Sequence, residues 1–182
     1  VITAVILILA WSLSSVMKEV GTAAYLVNVL SDTTPQFILP TIIFILGSII
    51  SFSTGTSYGT MGILMPLTIP LANAIGLNTG LEGTELHNYI VLNVGAVLTG
   101  AIFGDHCSPI SDTSILSSMA SSCNHMDHIS TQLPYALFVG FVAIAFGYLP
   151  AAFGVSVYVL LPIGLAVMYA VIRFYGKPYM ND

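Results

Sequence analysis

The chain has 182 residues, of which 56% are hydrophobic and 6% are charged, and its mean hydropathy is +0.94. Soluble domains carry about a quarter charged residues, so this composition excludes an ordinary soluble protein and predicts an integral membrane protein. The formal net charge is −5 with three basic residues. That balance excludes a nucleic-acid partner, because nucleic acids are bound by basic surfaces.

The chain opens on an apolar run, residues 1–16, with no initiator Met and no basic stretch before it. This pattern does not match a secretory signal peptide. We therefore expect the chain to be a fragment of a larger protein that is entered inside a helix. Its two cysteines, Cys107 and Cys123, are too few for a disulfide framework.

Two segments, 36–76 and 88–122, each contain an apolar run, a polar interruption and a second apolar run. A run of about 16 residues spans some 24 Å as a helix, which is less than the ~30 Å hydrocarbon core. Paired, interrupted hydrophobic segments are typical of transporter sites in the membrane. We predict broken or re-entrant helices here. Complete helices joined by surface loops are the alternative.

Segments 132–153 and 156–175 are long enough to be full spans, and an internal proline in each is tolerated within a membrane bundle. Arg173 and Lys177 follow the last span and predict a cytoplasmic C-terminus. The predicted fold is an all-α, multi-span membrane bundle with discontinuous helices. The expected location is the plasma membrane.

The interruption in the second segment reads "GDHCSPISDTSILSS", residues 104–118. Gly104 and Pro109 are expected to break the helix. Carboxylate and hydroxyl oxygens suit a hard cation such as sodium, and ionisable residues inside membranes are usually functional. The candidate ion ligands are Asp105, His106, Ser108, Ser111, Asp112 and Thr113.

A carboxyl group away from water can hold a proton or a cation but rarely both, which is sufficient chemistry for exchanging one for the other. Asp105 is the leading candidate for that role. Asp112 has a second interpretation as the N-cap of the following helix. His106 could relay protons, and this is left open.

The interruption in the first segment, "STGTSYGT" at 53–60, offers Thr54, Thr56 and Ser57 as further ligands. No Lys follows its glycines, which excludes a phosphate-binding P-loop. Gly55 and Gly59 are expected to break the helix. Their four-residue spacing equally suits close packing between membrane helices.

The stretch 123–130 brings a thiol, two imidazoles and a carboxylate close together in the sequence. Their spacing is not that of a closed zinc site, and a second ligand cluster is lacking. We expect a polar interfacial loop in which Asp127 or Thr131 caps the next helix. Neither a resident metal nor a cofactor is expected.

Residues 100–137, "GAIFGDHCSPISDTSILSSMASSCNHMDHISTQLPYAL", resemble the NhaC family of sodium/proton antiporters. Residues 53–72 resemble the same family's other polar break, and the likeness extends over the whole chain. The resemblance implies the C-terminal half of an inverted-repeat ion transporter. It also implies that the Asp105 motif and the break at 54–59 form one substrate site. Ser114, Asn124 and Ser130 depart from the residues expected at their positions.

The expected function is sodium/proton antiport by alternating access. The alternative is sodium- or proton-coupled exchange of a small organic acid or amine, of the malate/lactate type. A remote alternative, an intramembrane hydrolase using Asp105 and Asp112, lacks the sequence motifs of such enzymes. The expected partners are the lipid bilayer, the missing N-terminal half and the small ion. Homo-oligomerisation is left open.

Overall fold

The computed structural model describes residues 34–176 continuously, together with isolated positions between 8 and 29. Over residues 34–176 the regular structure is entirely helical. In chain order the elements are α1 (Leu39–Thr54), α2 (Ser57–Asn78), α3 (Gly83–Cys107), α4 (Asp112–Ala120), α5 (His125–Val142), a π-helical segment (Ala143–Tyr148), α6 (Leu149–Ala152) and α7 (Val157–Tyr175). Lys177 and most of residues 1–33, including much of the first apolar run, lie outside the described residues.

Four helical stretches are long and apolar enough to cross a membrane: Ser57–Asn78, Gly83–Cys107, His125–Ala152 and Val157–Phe174. The outward faces of these helices carry exposed Leu, Ile, Val and Phe side chains, as expected where the surroundings are lipid or other apolar helices. The predicted fold class, an all-helical multi-span membrane protein, is confirmed.

α1 and α3 run parallel and pack against each other through glycines. A Cβ atom on Gly104 would lie 2.2 Å from the Ser48 carbonyl oxygen, and one on Gly100 would lie 2.5 Å from that of Phe44. Small residues let the two backbones approach closely, which in lipid is a main source of helix association. Glycines therefore allow the close approach of α1 and α3, and Phe44 of α1 also packs against Phe103 of α3.

The prediction that Gly104 interrupts its helix is wrong. Gly104 lies inside α3, whose 25 residues run from Gly83 to Cys107. The glycine is needed for packing against α1, and the helix ends only where Ser108 turns to extended backbone ahead of Pro109. At 1.5 Å per residue α3 is about 37 Å long, so it is a full-length rod. α1, at 16 residues, is the shorter helix of the pair.

α2 runs antiparallel to α3. Ser57, at the start of α2, meets Asp105 near the end of α3, while Gly76 near the end of α2 lies against Leu86 near the start of α3. The buried apolar core lies among these three helices. It contains Leu39, Ile43, Phe44, Leu64, Leu71, Ala72, Ile75, Tyr89, Ala96 and Val97.

The first predicted full span, 132–153, is observed as one continuous helical stretch from His125 to Ala152. It begins earlier than predicted because Asn124 caps it, accepting hydrogen bonds from the backbone N–H groups of Met126 and Asp127. The expectation that Asp127 or Thr131 is the cap is therefore wrong. The π-helical segment precedes Pro150, which lacks the N–H that would continue the helical ladder.

The stretch from α5 to α6 is antiparallel to α3. Gly140 packs on the ring of Phe103, and further along the Tyr148 hydroxyl donates to the Gly95 carbonyl at 3.4 Å. α7 then returns after a short connection at residues 153–156. The end of α3, the start of α5 and the end of α7 consequently share one end of the bundle.

Candidate functional site

The Asp105 side chain lies in the last turn of α3 and is 8% exposed. Its Oδ2 atom accepts a hydrogen bond of 3.1 Å from the Ser57 hydroxyl, which belongs to the first turn of α2. Its Oδ1 atom accepts a bond of 2.7 Å from the Ser111 hydroxyl. Hydroxyl groups from two other segments of the chain therefore hold this buried carboxyl group.

Ser111 extends the arrangement by one residue. Its only hydroxyl hydrogen is given to Asp105, so its oxygen accepts from the Thr113 backbone N–H at 3.2 Å and from the Thr113 hydroxyl at 2.7 Å. We call Asp105, Ser57, Ser111 and Thr113 the Asp105 cluster. Every polar side-chain atom in it is an oxygen.

The two helix interruptions lie in direct contact. We call residues 55–56 the first break and residues 108–111 the break loop. Gly55 has φ +66°, and a Cβ atom there would lie 2.9 Å from the Ile110 carbonyl oxygen. The Ser108 hydroxyl donates to the Phe52 carbonyl at 2.7 Å, which ties the break loop to the end of α1. The structure thus brings together the two polar stretches that the sequence separates.

Two further serine side chains bond to backbone carbonyls near the interruptions. Ser114 donates to the carbonyl of His106 at 3.1 Å, and Ser51 donates to that of Ala101 at 2.5 Å. Ser51 and Ser114 are absent from the predicted site. A serine inside an otherwise apolar run is the signal that marks Ser51.

Two predicted ligands on either side of the break loop point away from the cluster. His106 is exposed, and its ring meets Phe103 edge-on. Asp112 is also exposed, and its carboxylate makes no hydrogen bond within the described residues. The N-cap of α4 is Ser111 rather than Asp112, since the Ser111 oxygen accepts the Thr113 N–H.

Of the residues predicted as ligands at the first break, some lie in the Asp105 cluster and others do not. Ser57 joins the cluster, whereas Thr54 is exposed and donates to the Ile50 carbonyl of its own helix at 2.8 Å. Thr56 caps α2 by accepting from the Gly59 N–H at 3.4 Å. Gly59 lies in the first turn of α2, so the expectation that it breaks the helix is wrong, while Gly55 does end α1.

Residues 123–128 form the entry to α5 rather than a separate loop. His125 Nε2 lies 2.7 Å from the Pro109 carbonyl oxygen, and its Nδ1 lies 3.1 Å from the Ser118 hydroxyl. In the part of the chain that the structure describes, no three His, Cys, Asp or Glu side chains are grouped so that they could hold a metal ion. The imidazole of His125 makes hydrogen bonds within the protein.

The Asp105 cluster has the ligand chemistry of a hard monovalent cation or of a proton. Carboxylate and hydroxyl oxygens match hard ions, whereas soft metals prefer thiolate or imidazole. A serine hydroxyl can turn its hydrogen away and present its lone pairs to a cation. Arg173 is the only Lys or Arg among the described residues, and it lies exposed at the end of α7, so it leaves the carboxylate free for such a ligand.

The model of the Na⁺/H⁺ antiporter family matches residues 1–150 of the chain. The chain belongs to this family. The match contains both interruptions and the entire Asp105 cluster. The resemblance to sodium/proton antiporters that the sequence analysis drew is confirmed. No solved structure matches this antiporter-family chain significantly.

Curated relatives agree with the family. The chain is 42% identical over 151 residues to an uncharacterised protein of Haemophilus influenzae, a match covering 83% of the chain and 27% of the relative. It is 34% identical over 122 residues to an uncharacterised Na⁺/H⁺ antiporter of the same organism, covering 65% and 24%. It is also 34% identical over 102 residues to a malate-2H⁺/Na⁺-lactate antiporter of Bacillus subtilis, covering 54% and 19%. The chain thus spans about a quarter of the length of these relatives.

Proposed function

We propose that this chain is part of a secondary transporter that exchanges sodium ions for protons across a membrane, and that Asp105 binds the two ions in turn. The observation that carries the proposal is the buried Asp105 carboxyl group held by the hydroxyls of Ser57 and Ser111. Membership of a transporter family also favours transport over the hydrolase alternative.

The exchange follows from competition at one carboxyl group. When Asp105 is ionised, a sodium ion gains its charge and the neighbouring hydroxyl oxygens as ligands. When Asp105 is protonated, the charge that holds the cation is gone. Protons therefore displace sodium, and sodium displaces protons, at the same atoms.

Alternating access is supported by the origin of the ligands. Ser57 starts α2, Asp105 ends α3, and Ser111 belongs to the break loop. A shift of any of these segments against the others changes the ligand set. The glycine-packed unit of α1, α2 and α3 contains most of the buried core, so it is the natural moving body, and α5–α7 form the support.

The test is a flux assay on the full-length transporter in proteoliposomes. Asp105→Asn keeps the size of the side chain and removes its charge, so sodium-driven proton movement should be abolished. Asp127→Asn is the matched control, because Asp127 is an exposed carboxylate in the first turn of α5. In the wild type, the sodium concentration for half-maximal rate should rise as pH falls, by at most about tenfold per pH unit for a single shared site.

Normal pH-driven sodium uptake by Asp105→Asn would remove this carboxyl group from the mechanism. A half-maximal sodium concentration that stays constant across pH would show that the two ions do not compete. Loss of exchange in both variants would indicate a general effect of removing a negative charge rather than a site at Asp105.

Exchange of a small organic acid is the second candidate, because one relative is named a malate-2H⁺/Na⁺-lactate antiporter. Against it, the described part of the site has no Lys or Arg side chain for a substrate carboxylate. The same vesicles can be given sodium, lithium, malate, lactate or a small amine under an imposed pH gradient. Comparing the uptake of each compound shows which one is transported. Uptake of a carboxylate without any response to sodium alone would favour the second candidate.

We further propose a plasma-membrane location with the C-terminus in the cytoplasm. Arg173 at the end of α7 is a basic residue of the kind enriched on that side. Since the ends of α3 and α7 share one end of the bundle, the Asp105 cluster then lies toward the cytoplasmic side. A C-terminal reporter active only outside the cell would contradict this orientation.

The partners proposed are the bilayer, the rest of the same polypeptide and the transported ions.

A further inference from the structure

His125, the first residue of α5, connects three parts of the chain. Its Nε2 atom is 2.7 Å from the carbonyl oxygen of Pro109 in the break loop. Its Nδ1 atom is 3.1 Å from the hydroxyl of Ser118, a buried residue of α4. One imidazole therefore joins the break loop, α4 and the support helix α5.

The bond to Pro109 has only one direction. A carbonyl oxygen can only accept, so Nε2 must carry a hydrogen. The Ser118 hydroxyl also lies 2.8 Å from the Ile115 carbonyl and can give its single hydrogen to that oxygen or to Nδ1. Nδ1 is satisfied as an acceptor in a neutral ring and as a donor in a charged ring. The bond from His125 to Pro109 is thus compatible with either charge state of the imidazole.

The break loop depends on such external bonds because its internal bonds are long. The Ser111 N–H reaches the Ser108 carbonyl at 3.3 Å, and the Ile110 N–H reaches the Ser108 hydroxyl at the same distance. Three shorter bonds hold the loop from outside, and one of them is the 2.7 Å bond from Ser111 to Asp105. Ser108 donates to Phe52 of α1 at 2.7 Å, and His125 donates to Pro109 at 2.7 Å.

The loop position decides where Ser111 stands. Pro109 lies two residues before Ser111, whose hydroxyl is the 2.7 Å partner of Asp105. If the Pro109 carbonyl is released, the tether from the α5 side is lost, and the Ser111 oxygen can move away from the carboxyl group. The hydrogen bonds of the imidazole go to Pro109 and Ser118 rather than to Asp105, so it acts through the loop.

We propose that His125 is a positioning residue for the ion site: it holds Pro109 so that the Ser111 hydroxyl remains a ligand beside Asp105. The inference rests on the proposed function for the identity of the ion. It adds a mechanical connection between the support helix α5 and the ligands. Loss of this connection should reduce the affinity for the ion more than it reduces the turnover rate.

The experiment compares His125→Phe with His125→Gln in the full-length transporter. Phe keeps a ring and removes both nitrogens, whereas the Gln amide can still donate to the Pro109 carbonyl. We expect His125→Phe to raise the KM for sodium about tenfold, the usual effect of losing one hydrogen bond, with kcat nearly unchanged. His125→Gln should restore most of the affinity. His128→Phe is the matched control, because the half-buried His128 imidazole on the same helix makes no hydrogen bond among the described residues.

A second readout does not depend on transport. Amide hydrogen exchange of the peptide containing Ile110 and Ser111 should be faster in His125→Phe than in the wild type, His125→Gln or His128→Phe. His125→Ala provides the same comparison if the Phe variant is not recovered. If the wild type carries no sodium, the proposed function fails separately, and hydrogen exchange still decides whether His125 holds the loop.

Three results would overturn the inference. The first is an unchanged sodium KM in a folded His125→Phe protein. The second is a Gln variant that is as impaired as the Phe variant, since the Gln donor should restore the Pro109 bond. The third is equal hydrogen exchange at Ile110 and Ser111 in all variants.

Discussion

The two interruptions of the bundle lie side by side, yet different groups close them. The first break is a tight backbone turn in which Gly55 takes a left-handed conformation and its N–H bonds to the Ser51 carbonyl at 2.8 Å. The break loop is wider, and side-chain bonds from Ser108, Ser111 and His125 hold it. A backbone turn fixes one geometry, whereas hydroxyl bonds can change partners. The first break thus fixes the position of Ser57, and the break loop supplies the hydroxyl groups beside Asp105 that can change partners.

The largest effect is expected from rigidity at the first break. In Gly55→Ala a residue with a Cβ atom must adopt the left-handed backbone conformation, which costs about 1–2 kcal/mol. The added Cβ atom would also lie 2.9 Å from the Ile110 carbonyl oxygen. We expect the free energy of unfolding to fall by more than about 2 kcal/mol, with loss of transport. Thermal unfolding of the purified transporter measures this loss of stability.

Gly80→Ala is the matched control. Gly80 has φ +81°, and a Cβ atom there meets nothing within 4 Å, so this variant carries the conformational cost without the contact. The difference between the two variants isolates the contact between the breaks. Equal destabilisation would mean that the first break does not brace the break loop.

An intermediate effect is expected from the ligands of the break loop. Ser111→Ala removes the 2.7 Å bond to Asp105 and the N-cap of α4. We expect about a tenfold rise in the sodium KM from the lost bond and about 1 kcal/mol of lost stability from the cap. Asn124→Ala removes only a cap, that of α5. A similar KM rise in Asn124→Ala would attribute the effect to helix capping rather than to the ion site.

The smallest effect is expected at Thr54. Its hydroxyl bonds to its own helix and is exposed, although the sequence pattern placed it among the ligands. Thr54→Val should change the sodium KM by less than about twofold. A larger change would show that Thr54 enters the site during transport and would blur the distinction between the two breaks.

The sequence predicted the helical membrane fold because apolar length is a local property that a single segment displays. It also predicted the position of the first break at Gly55 and the presence of Pro109 in the second. It was wrong at Gly104, which reads as a helix breaker but lies against the α1 backbone. A glycine that ends a helix and one that packs two helices look the same in a sequence, and only the neighbouring backbone distinguishes them.

The residues predicted for the candidate site also include both correct and incorrect placements. Asp105, Ser57 and Ser111 were predicted from residue chemistry, since a carboxylate and hydroxyls in an apolar chain need a reason to be there. His106, Asp112 and Thr54 were predicted on the same grounds, yet they face outward. Which side of a helix end a residue occupies depends on the packing angle of that helix, and this angle is set by contacts distant in the chain. The role of His125 was missed for the same reason, because Pro109 lies 16 residues before it.

By itself, then, the sequence determined that the chain resides in a membrane, that it is helical, and that oxygen-bearing side chains gather at its interruptions. These follow from composition and from the cost of burying polar groups in lipid. Only the tertiary structure decided which oxygens meet at Asp105 and which residues hold the break loop in place. Hydrogen bonds act over about 3 Å, and the residues that form them here are separated by 48 positions between Ser57 and Asp105 and by as many as 56 between Phe52 and Ser108.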